Sequence, residues 1–333
     1  MEISKTQTNF LGHDISSPIF NASGPLCVTL EDLEALDRSR ASMMITKSCT
    51  LAPRLGNILP RYQSIASGSI NSMGLPNLGL SRYLEYAQIR SPQAKKPYVL
   101  SIAGLSLEEN RYLLVEARSN RALGAIELNL SCPNIPGKPQ LGYDLPGLES
   151  TLHSLIFDWD PTHVPIGVKL PPYFDPSHWD EVTEILNRFD ALHFVTTINS
   201  PGNGLSFLPN SCEVSIAPKN GLGGIGGALI KPFALSNVRE LRLRLRSEIA
   251  VVGCGGVTHG RDVLEHLLCG AQCVQVGTQF YAEGISVFDR LNLELNHELS
   301  KLGFHSVDEA RGKWSAQKSF PAHHVDEYDA PLI

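Results

Sequence analysis

Eight short apolar runs punctuate the chain: Pro18–Ala22, Met43–Cys49, Tyr98–Ala103, Ala125–Leu130, Ile166–Leu170, Leu192–Ile198, Ile249–Val252 and Cys273–Gly277. They read as continuously hydrophobic rather than alternating, the pattern of parallel strands covered on both faces. Between them lie helix-like segments, among them Leu30–Arg38, Ser81–Arg90, Leu107–Arg118, His178–Arg188, Pro232–Arg244 and Arg261–Cys269. Thr29 before Glu31-Asp32, and Ser106 before Glu108-Glu109, mark helix starts, because a hydroxyl cap and early acids satisfy free N–H groups. Strand alternating with helix eight times predicts an α/β fold of the (β/α)8 TIM-barrel type. A doubly wound open sheet is the rival. The regular spacing and the lack of a linker-like boundary favour closure into a single domain over residues 1–333. Thr8–Ser17, with Gly12 near its centre, predicts a small hairpin under the barrel.

The surplus length falls in three connections, about 50–80, 131–145 and 199–231, each after the C-terminal end of a strand-like run. That face of such a barrel carries the active site, and long loops in a compact domain are often functional. Composition narrows the classes. With 42% hydrophobic and 19% charged residues the chain is not disordered. A net charge of −6 argues against a nucleic-acid partner. No stretch approaches the ~18 apolar residues of a membrane span, and Met1–Pro18 has no apolar signal core. Seven irregularly spaced cysteines without a CxxC pair speak against structural zinc and for a reducing compartment. The expectation is a cytoplasmic protein with no membrane partner and no metal.

Chemistry-capable residues gather at the ends of the runs. Gly255-Gly256 and Gly277-Thr278 follow the seventh and eighth, where such barrels often bind phosphate through backbone N–H groups; either alone is more often just a tight turn, and the pair at the two expected strands favours phosphate. Lys47 and Lys169 stand inside apolar runs. A buried lysine needs a partner, which is either a rim ion pair or a ligand that gains negative charge, such as a reduced flavin. Cys132 opens the loop after the fourth run, before Pro133 and between Asn129 and Asn134. A thiol in that setting can serve as base or nucleophile. The other six cysteines read as core or incidental, although the glycines beside Cys254 could bring it near a cofactor. Asn71, Asn129, Asn134 and Asn199 suit a small planar ligand with several carbonyl and N–H groups, or simply form turns. His259 and His266 read as surface residues, and Tyr173, Phe174 and Trp179 as packing.

Several strings together resemble the class 1A dihydroorotate dehydrogenase family, the soluble form that uses fumarate. They are Asn21-Ala22-Ser23-Gly24, Ile45–Ser48 (ITKS), Asn71–Asn77 (NSMGLPN), Asn129–Gln140 (NLSCPNIPGKPQ), Gly167–Pro172 (GVKLPP), Lys219–Gly227 (KNGLGGIGG) and Gly253–Val257. The resemblance spans roughly residues 3 to 315. It implies a barrel holding FMN at its C-terminal face, as a homodimer. It implies FMN contacts from Ala22, Ser23, Gly24, Lys47, Ser48, Asn129, Lys169, Ile198, Gly226, Gly227, Gly255, Gly256, Gly277 and Thr278. Lys47, Asn71, Met73, Gly74, Leu75, Asn129, Asn134, Asn199 and Ser200 would surround dihydroorotate or orotate, with Cys132 as the catalytic base. Fumarate would be reduced to succinate in the same site. The membrane-bound class carries an N-terminal extension and a serine base, whereas this chain starts almost at the barrel. The class 1B form needs an iron–sulfur partner subunit, which the NSMGLPN and PGKPQ strings do not lead one to expect. Class 1B-like activity, or another cysteine-base FMN barrel, is the near alternative. More distant ones are an aldolase-like lyase with Lys169 as Schiff-base lysine and a non-catalytic flavin-binding protein. Ser315–Ile333 and Leu205–Ser215 carry no distinctive family string.

Overall fold

A computed structural model describes residues 5–90, 96–131 and 140–316. All eight apolar runs contain strands, and they form one parallel sheet. In chain order, with the strands outside it, they are β1 (Thr8–Phe10), β2 (His13–Ile15), β3 (Ile19–Asn21), β4 (Met44–Ile45), β5 (Tyr62–Ile65), β6 (Gly68–Asn71), β7 (Tyr98–Ile102), β8 (Ala125–Asn129), β9 (Ile166–Leu170), β10 (Leu192–Thr197), β11 (Gly224–Gly226), β12 (Ala250–Cys254) and β13 (Cys273–Val276). The large sheet runs β3-β13-β12-β10-β9-β8-β7-β4. Its two end strands meet through a side chain. Asn21 Nδ2 donates to the Ile45 carbonyl at 2.8 Å, and the Ile45 N–H donates to Asn21 Oδ1 at 3.0 Å. The amide thus stands in for a missing rung and brings the sheet round into a TIM barrel.

The strands are covered on both faces, as the unbroken apolar runs require. Every second residue faces the barrel interior. In β8, Ile126 and Leu128 join the large cluster between strands and helices, while Ala125 belongs to the inner cluster. The inner cluster also holds Phe20, Ile45, Val99, Phe194, Val252 and Cys273. It forms the lower interior. The β1–β2 hairpin lies across it as expected, with Phe10 and Ile15 packed into the same cluster and the Phe10 ring edge-on to Phe194 at 5.6 Å. One step further along the same inward faces, the residues turn polar: Ser101, Glu127, Lys169, Thr196 and Gln275, all buried.

The helices follow the sequence closely. α1 (Leu30–Arg38) and α3 (Leu107–Ala117) start where expected, with the Thr29 and Ser106 hydroxyls accepting from the N–H groups of Asp32 and Glu109. α2 (Leu80–Arg90), α5 (Pro176–Asn187), α6 (Lys231–Arg244) and α7 (Gly260–Leu268) differ from expectation by one or two residues at one or both ends. Four more helices lie among the described residues. α4 (Leu145–Ile156) is capped by Asp144, and α8 (Thr278–Glu283), α9 (Ser286–Lys301) and α10 (Val307–Ala310) follow the last strand. No helix among the described residues is long and apolar enough to cross a membrane.

Two of the long connections fold together. Residues 50–80 contain the antiparallel pair β5–β6, and β11, from the 199–231 connection, adds to β6 with Gly224 opposite Asn71 and Gly226 opposite Ser69. The result is a three-stranded sheet, β11-β6-β5, outside the barrel sheet. Of the third connection only its edges are described, including a 3-10 turn at Leu141–Tyr143.

Candidate active site

A cleft enclosing about 1000 Å³, its open mouth included, is lined by residues at and just beyond the C-terminal ends of the barrel strands and by the small sheet. Ala22–Pro25 line it after β3, Lys47 after β4, Asn129 at the end of β8 and Ile198–Ser200 after β10. Cys254–Val257 and Gly277-Thr278 enter after β12 and β13. Ser69, Asn71, Met73–Leu75, Gly226 and Gly227 come from the two joined loops. Nearly all the residues expected from the sequence are therefore brought to one place. Ser48 sits behind the wall instead, buried, its hydroxyl 3.1 Å from those of Ser23 and the Asn129 amide and 2.9 Å from Ser101. Cys132 and Asn134 lie outside the described residues.

The cleft also includes residues that sequence reasoning passed over, notably Tyr62, Ser69, Ile230 and Gln275. Tyr62 lies against Tyr281 with ring centroids 4.1 Å apart, and the Ser69 and Thr278 hydroxyls are 3.1 Å apart. Nothing local marks Tyr62 or Ser69, because their place depends on the β5–β6 hairpin folding back over the barrel. Gln275 was legible in principle, as a polar residue in an apolar strand.

The asparagines form a connected set. Asn129 Nδ2 donates to Ser48 Oγ, and its Oδ1 accepts from the Ser131 N–H at 3.1 Å. Asn199 Nδ2 reaches Asn129 Oδ1 at 3.3 Å and the Ser131 carbonyl and hydroxyl at 3.0 Å each. These bonds fix both amide orientations and tie Ser131 to the cleft floor. Asn71 Nδ2 donates to the Gly224 carbonyl at 3.3 Å, joining β6 to β11 a second time.

No aspartate or glutamate lines the cleft among the described residues; its charged side chains are Lys47 and Lys169. An anion is therefore met by two cations in a chain of net charge −6. The Lys47 N–H donates to the Cys27 carbonyl at 2.8 Å, a break in the pairing with β7 that lasts only until the Cys49 N–H donates to the Ser101 carbonyl at 2.9 Å. Lys169 is almost wholly buried, with Nζ 2.8 Å from Gln275 Oε1 and 3.8 Å from Cys254 Sγ. Burial opposes its charge, but the Cys254 sulfur and the Glu127 carboxylate outweigh that, and its pKa is raised above the ordinary lysine value. Burial also pushes the Cys254 thiol upward, against the pull of Lys169.

The glycine turns are shaped for close approach. Gly227 and Gly256 have φ of +87° and +77°, conformations that suit glycine. A Cβ added to Gly277 would meet only the Ala22 methyl, at 3.6 Å, so the backbone there stands open to the cleft. The Gly253–Gly256 turn is supported from behind by His266. That residue is fully buried, which corrects the surface reading. Its Nε2 lies 3.1 Å from the Gly255 carbonyl, and a Cβ on Gly253 would run into its ring. The step from His259 to His266 places the first at the exposed helix start and the second on the face against β12. Burial lowers the His266 pKa to about 4, so the ring is neutral near pH 7. Tyr173 packs as expected, its hydroxyl donating to the Gly142 carbonyl at 2.6 Å; Phe174 is largely exposed. Among the described residues no cluster of His, Cys, Asp and Glu could hold a metal ion.

Comparison with known proteins agrees with this architecture. Residues 5–299 match the family model described as dihydroorotate dehydrogenase. The dihydroorotate dehydrogenase A (fumarate) of Lactococcus lactis subsp. cremoris is 48% identical over 92% of this chain and 98% of its own length. The dihydroorotate dehydrogenase (fumarate) proteins of Lachancea kluyveri and Saccharomyces cerevisiae are each 47% identical over 92% of this chain, and over 96% and 97% of their own. Among solved structures, DHODH from Eimeria tenella in complex with ferulenol shares the fold, with a TM-score of 0.75 at 18% identity over 94% of this chain and 89% of that one. A barrel with its cleft at the strand ends, a family model covering most of the chain and near-full-length fumarate-type relatives lead to one conclusion: the chain belongs to the dihydroorotate dehydrogenase family, in its class 1A branch.

Proposed function

We propose that this protein oxidises (S)-dihydroorotate to orotate with FMN held in the cleft, and reduces fumarate to succinate in the same site. The observation that carries the reading is the cleft itself. Its charged side chains, among the described residues, are two lysines, flanked by glycine turns and by amides in fixed orientations. That donor set fits FMN. The Gly255-Gly256 and Gly277-Thr278 turns, Gly226-Gly227 and the Thr278 hydroxyl suit an anionic phosphate. Lys169 suits a ring system that gains negative charge. Ala22, Ser23, Gly24, Lys47, Ser48, Asn129 and Ile198 complete the proposed FMN contacts, with Ser48 acting from behind through Ser23 and Asn129.

Bound FMN would supply the acceptor for the hydride that leaves C6 of dihydroorotate. The protein's part is orientation and proton transfer. Asn71, Asn129, Asn134, Asn199 and Ser200, with the backbone of Met73–Leu75, would hold the planar substrate, and Lys47 its carboxylate. Cys132 would remove the C5 proton, and return one to fumarate in the second half of a ping-pong cycle. Its support is the Ser131-Cys132-Pro133-Asn134 setting and the family resemblance. The bonds from Asn129 and Asn199 that anchor Ser131 hold the residue before it at the cleft. By the same resemblance the protein is a cytoplasmic homodimer of de novo pyrimidine synthesis, with no iron–sulfur partner subunit.

Offering dihydroorotate with fumarate, a quinone and NAD in parallel tests the reading. Orotate formation should be fastest with fumarate. Preference for NAD would favour class 1B-like activity, and a colourless preparation without bound flavin would remove the FMN reading.

A further inference from the structure

The polar layer inside the barrel contains a charge that the chemistry above does not use. Glu127 points inward from β8 and is fully buried. Its Oε2 accepts from Thr196 Oγ1 at 2.7 Å and from Gln275 Nε2 at 2.8 Å, while its Oε1 has no hydrogen-bond partner among the described residues. The far end of Gln275 accepts from Lys169 Nζ at 2.8 Å. The direction of this chain is fixed by chemistry. An ammonium can only donate, so Gln275 must turn its oxygen to Lys169 and its NH2 to Glu127. Glu127 Oε2 therefore receives two donors and carries no proton itself. A buried carboxylate that makes no direct ion pair is costly unless a nearby cation balances it.

We propose that Glu127, acting through Gln275, is a positioning residue that keeps Lys169 protonated and aimed into the cleft, and so sets how readily the bound flavin accepts electrons. This rests on the FMN reading above. The other titratable groups around Lys169 are Cys254 on β12, Cys27 in the turn after β3, and Lys47 across the cleft. Burial pushes the Cys27 thiol up to about 12 and raises that of Cys254, so both are neutral near pH 7. Lys47 adds a like charge. Glu127 is thus the anion available to hold the ammonium in place.

The test is the midpoint potential of the bound flavin, measured from pH 5 to 9 in the holoenzyme. In the parent protein Lys169 stays charged throughout and adds no inflection. A buried lysine without its counter-charge drops by up to about 3–5 units, into roughly pH 5.5–7.5 from an ordinary value near 10.4. Glu127→Gln should therefore introduce an inflection in that range, and flavin affinity above it should fall about tenfold or more, as for one lost unit of differential interaction. Adding Lys169→Gln to that variant should abolish the inflection. A Glu127→Gln curve that superimposes on the parent curve, or an inflection that survives Lys169→Gln, overturns the proposal. If Glu127→Gln does not fold, Gln275→Met cuts the chain at its middle and should bring the inflection to an intermediate pH; its absence counts equally against the proposal. A parent protein without flavin strikes at the FMN reading, whereas a flavin-replete parent with unshifted variants strikes at this inference alone.

Discussion

At the scale of single residues, the proposed duties of Cys132 and Lys47 and the burial of His266 can be tested separately. Cys132→Ala should retain flavin yet lose turnover by about 10²–10⁴-fold near neutral pH, the usual worth of a positioned base; single-turnover reduction of the flavin by dihydroorotate reads this directly, and an unchanged rate removes Cys132 from its role. Lys47→Ala should weaken both flavin and substrate binding, seen as flavin loss on dilution and a raised KM. His266 ties stability to acidity. Its folded pKa of about 4 lies below the ordinary 6.5 because burial disfavours the charged ring. Protonation therefore favours the unfolded chain: the contribution is intact above pH 6.5 and is lost as pH falls through 4. The span corresponds to roughly 3 kcal/mol. Denaturation midpoints between pH 7 and 4 should fall more steeply in the parent than in His266→Gln. The lysines were legible in the sequence because a lysine inside an apolar run demands a reason. Glu127 meets the same criterion and deserved the same question. His266 misled because its neighbourhood depends on which helix face meets β12, and His259, two turns earlier, belongs to the exposed start.

At the scale of elements, the barrel was legible because burial on both faces leaves a plain mark: eight apolar runs at regular spacing became eight strands. The hairpin under the barrel was legible from Gly12 at its turn. What the runs hide is which face each residue takes. A strand buried on both sides shows no alternation of apolar and polar residues, so the inward series Ala125, Glu127, Asn129 emerges only when the neighbouring strands supply Lys169 and Gln275. Two predictions belong here. Asn21→Leu removes both bonds that stand in for the rung between β3 and β4, and leaves the Ile45 N–H and C=O buried without their partners. A loss of about 2–6 kcal/mol is expected, at about 1–3 kcal/mol for each unsatisfied group, measurable by urea unfolding. Phe10→Ala empties the space against Phe194 at the barrel floor and should cost about 3–5 kcal/mol, while leaving flavin affinity of the folded fraction unchanged.

At the scale of the whole molecule, two of the long connections, 50–80 and 199–231, meet over the cleft, yet their joining could not be read. Strand pairing between segments about 150 residues apart leaves no local signature, and β11 is a short Gly-Ile-Gly piece with little strand propensity of its own. The pairing has a dynamic consequence. Ser69 and Asn71 on β6 are bonded in register to Gly226 and Gly224 on β11, so neither loop can open without breaking that ladder or carrying the other along. The two stretches form one cooperative opening unit in the sense of hydrogen exchange. Amides of residues 69–71 and 224–226 should then exchange with a shared free energy and a shared denaturant dependence. Gly224→Pro, which places a proline ring beside Asn71 in the small sheet, should speed exchange at both stretches together while the amides of β8 and β9 keep their protection.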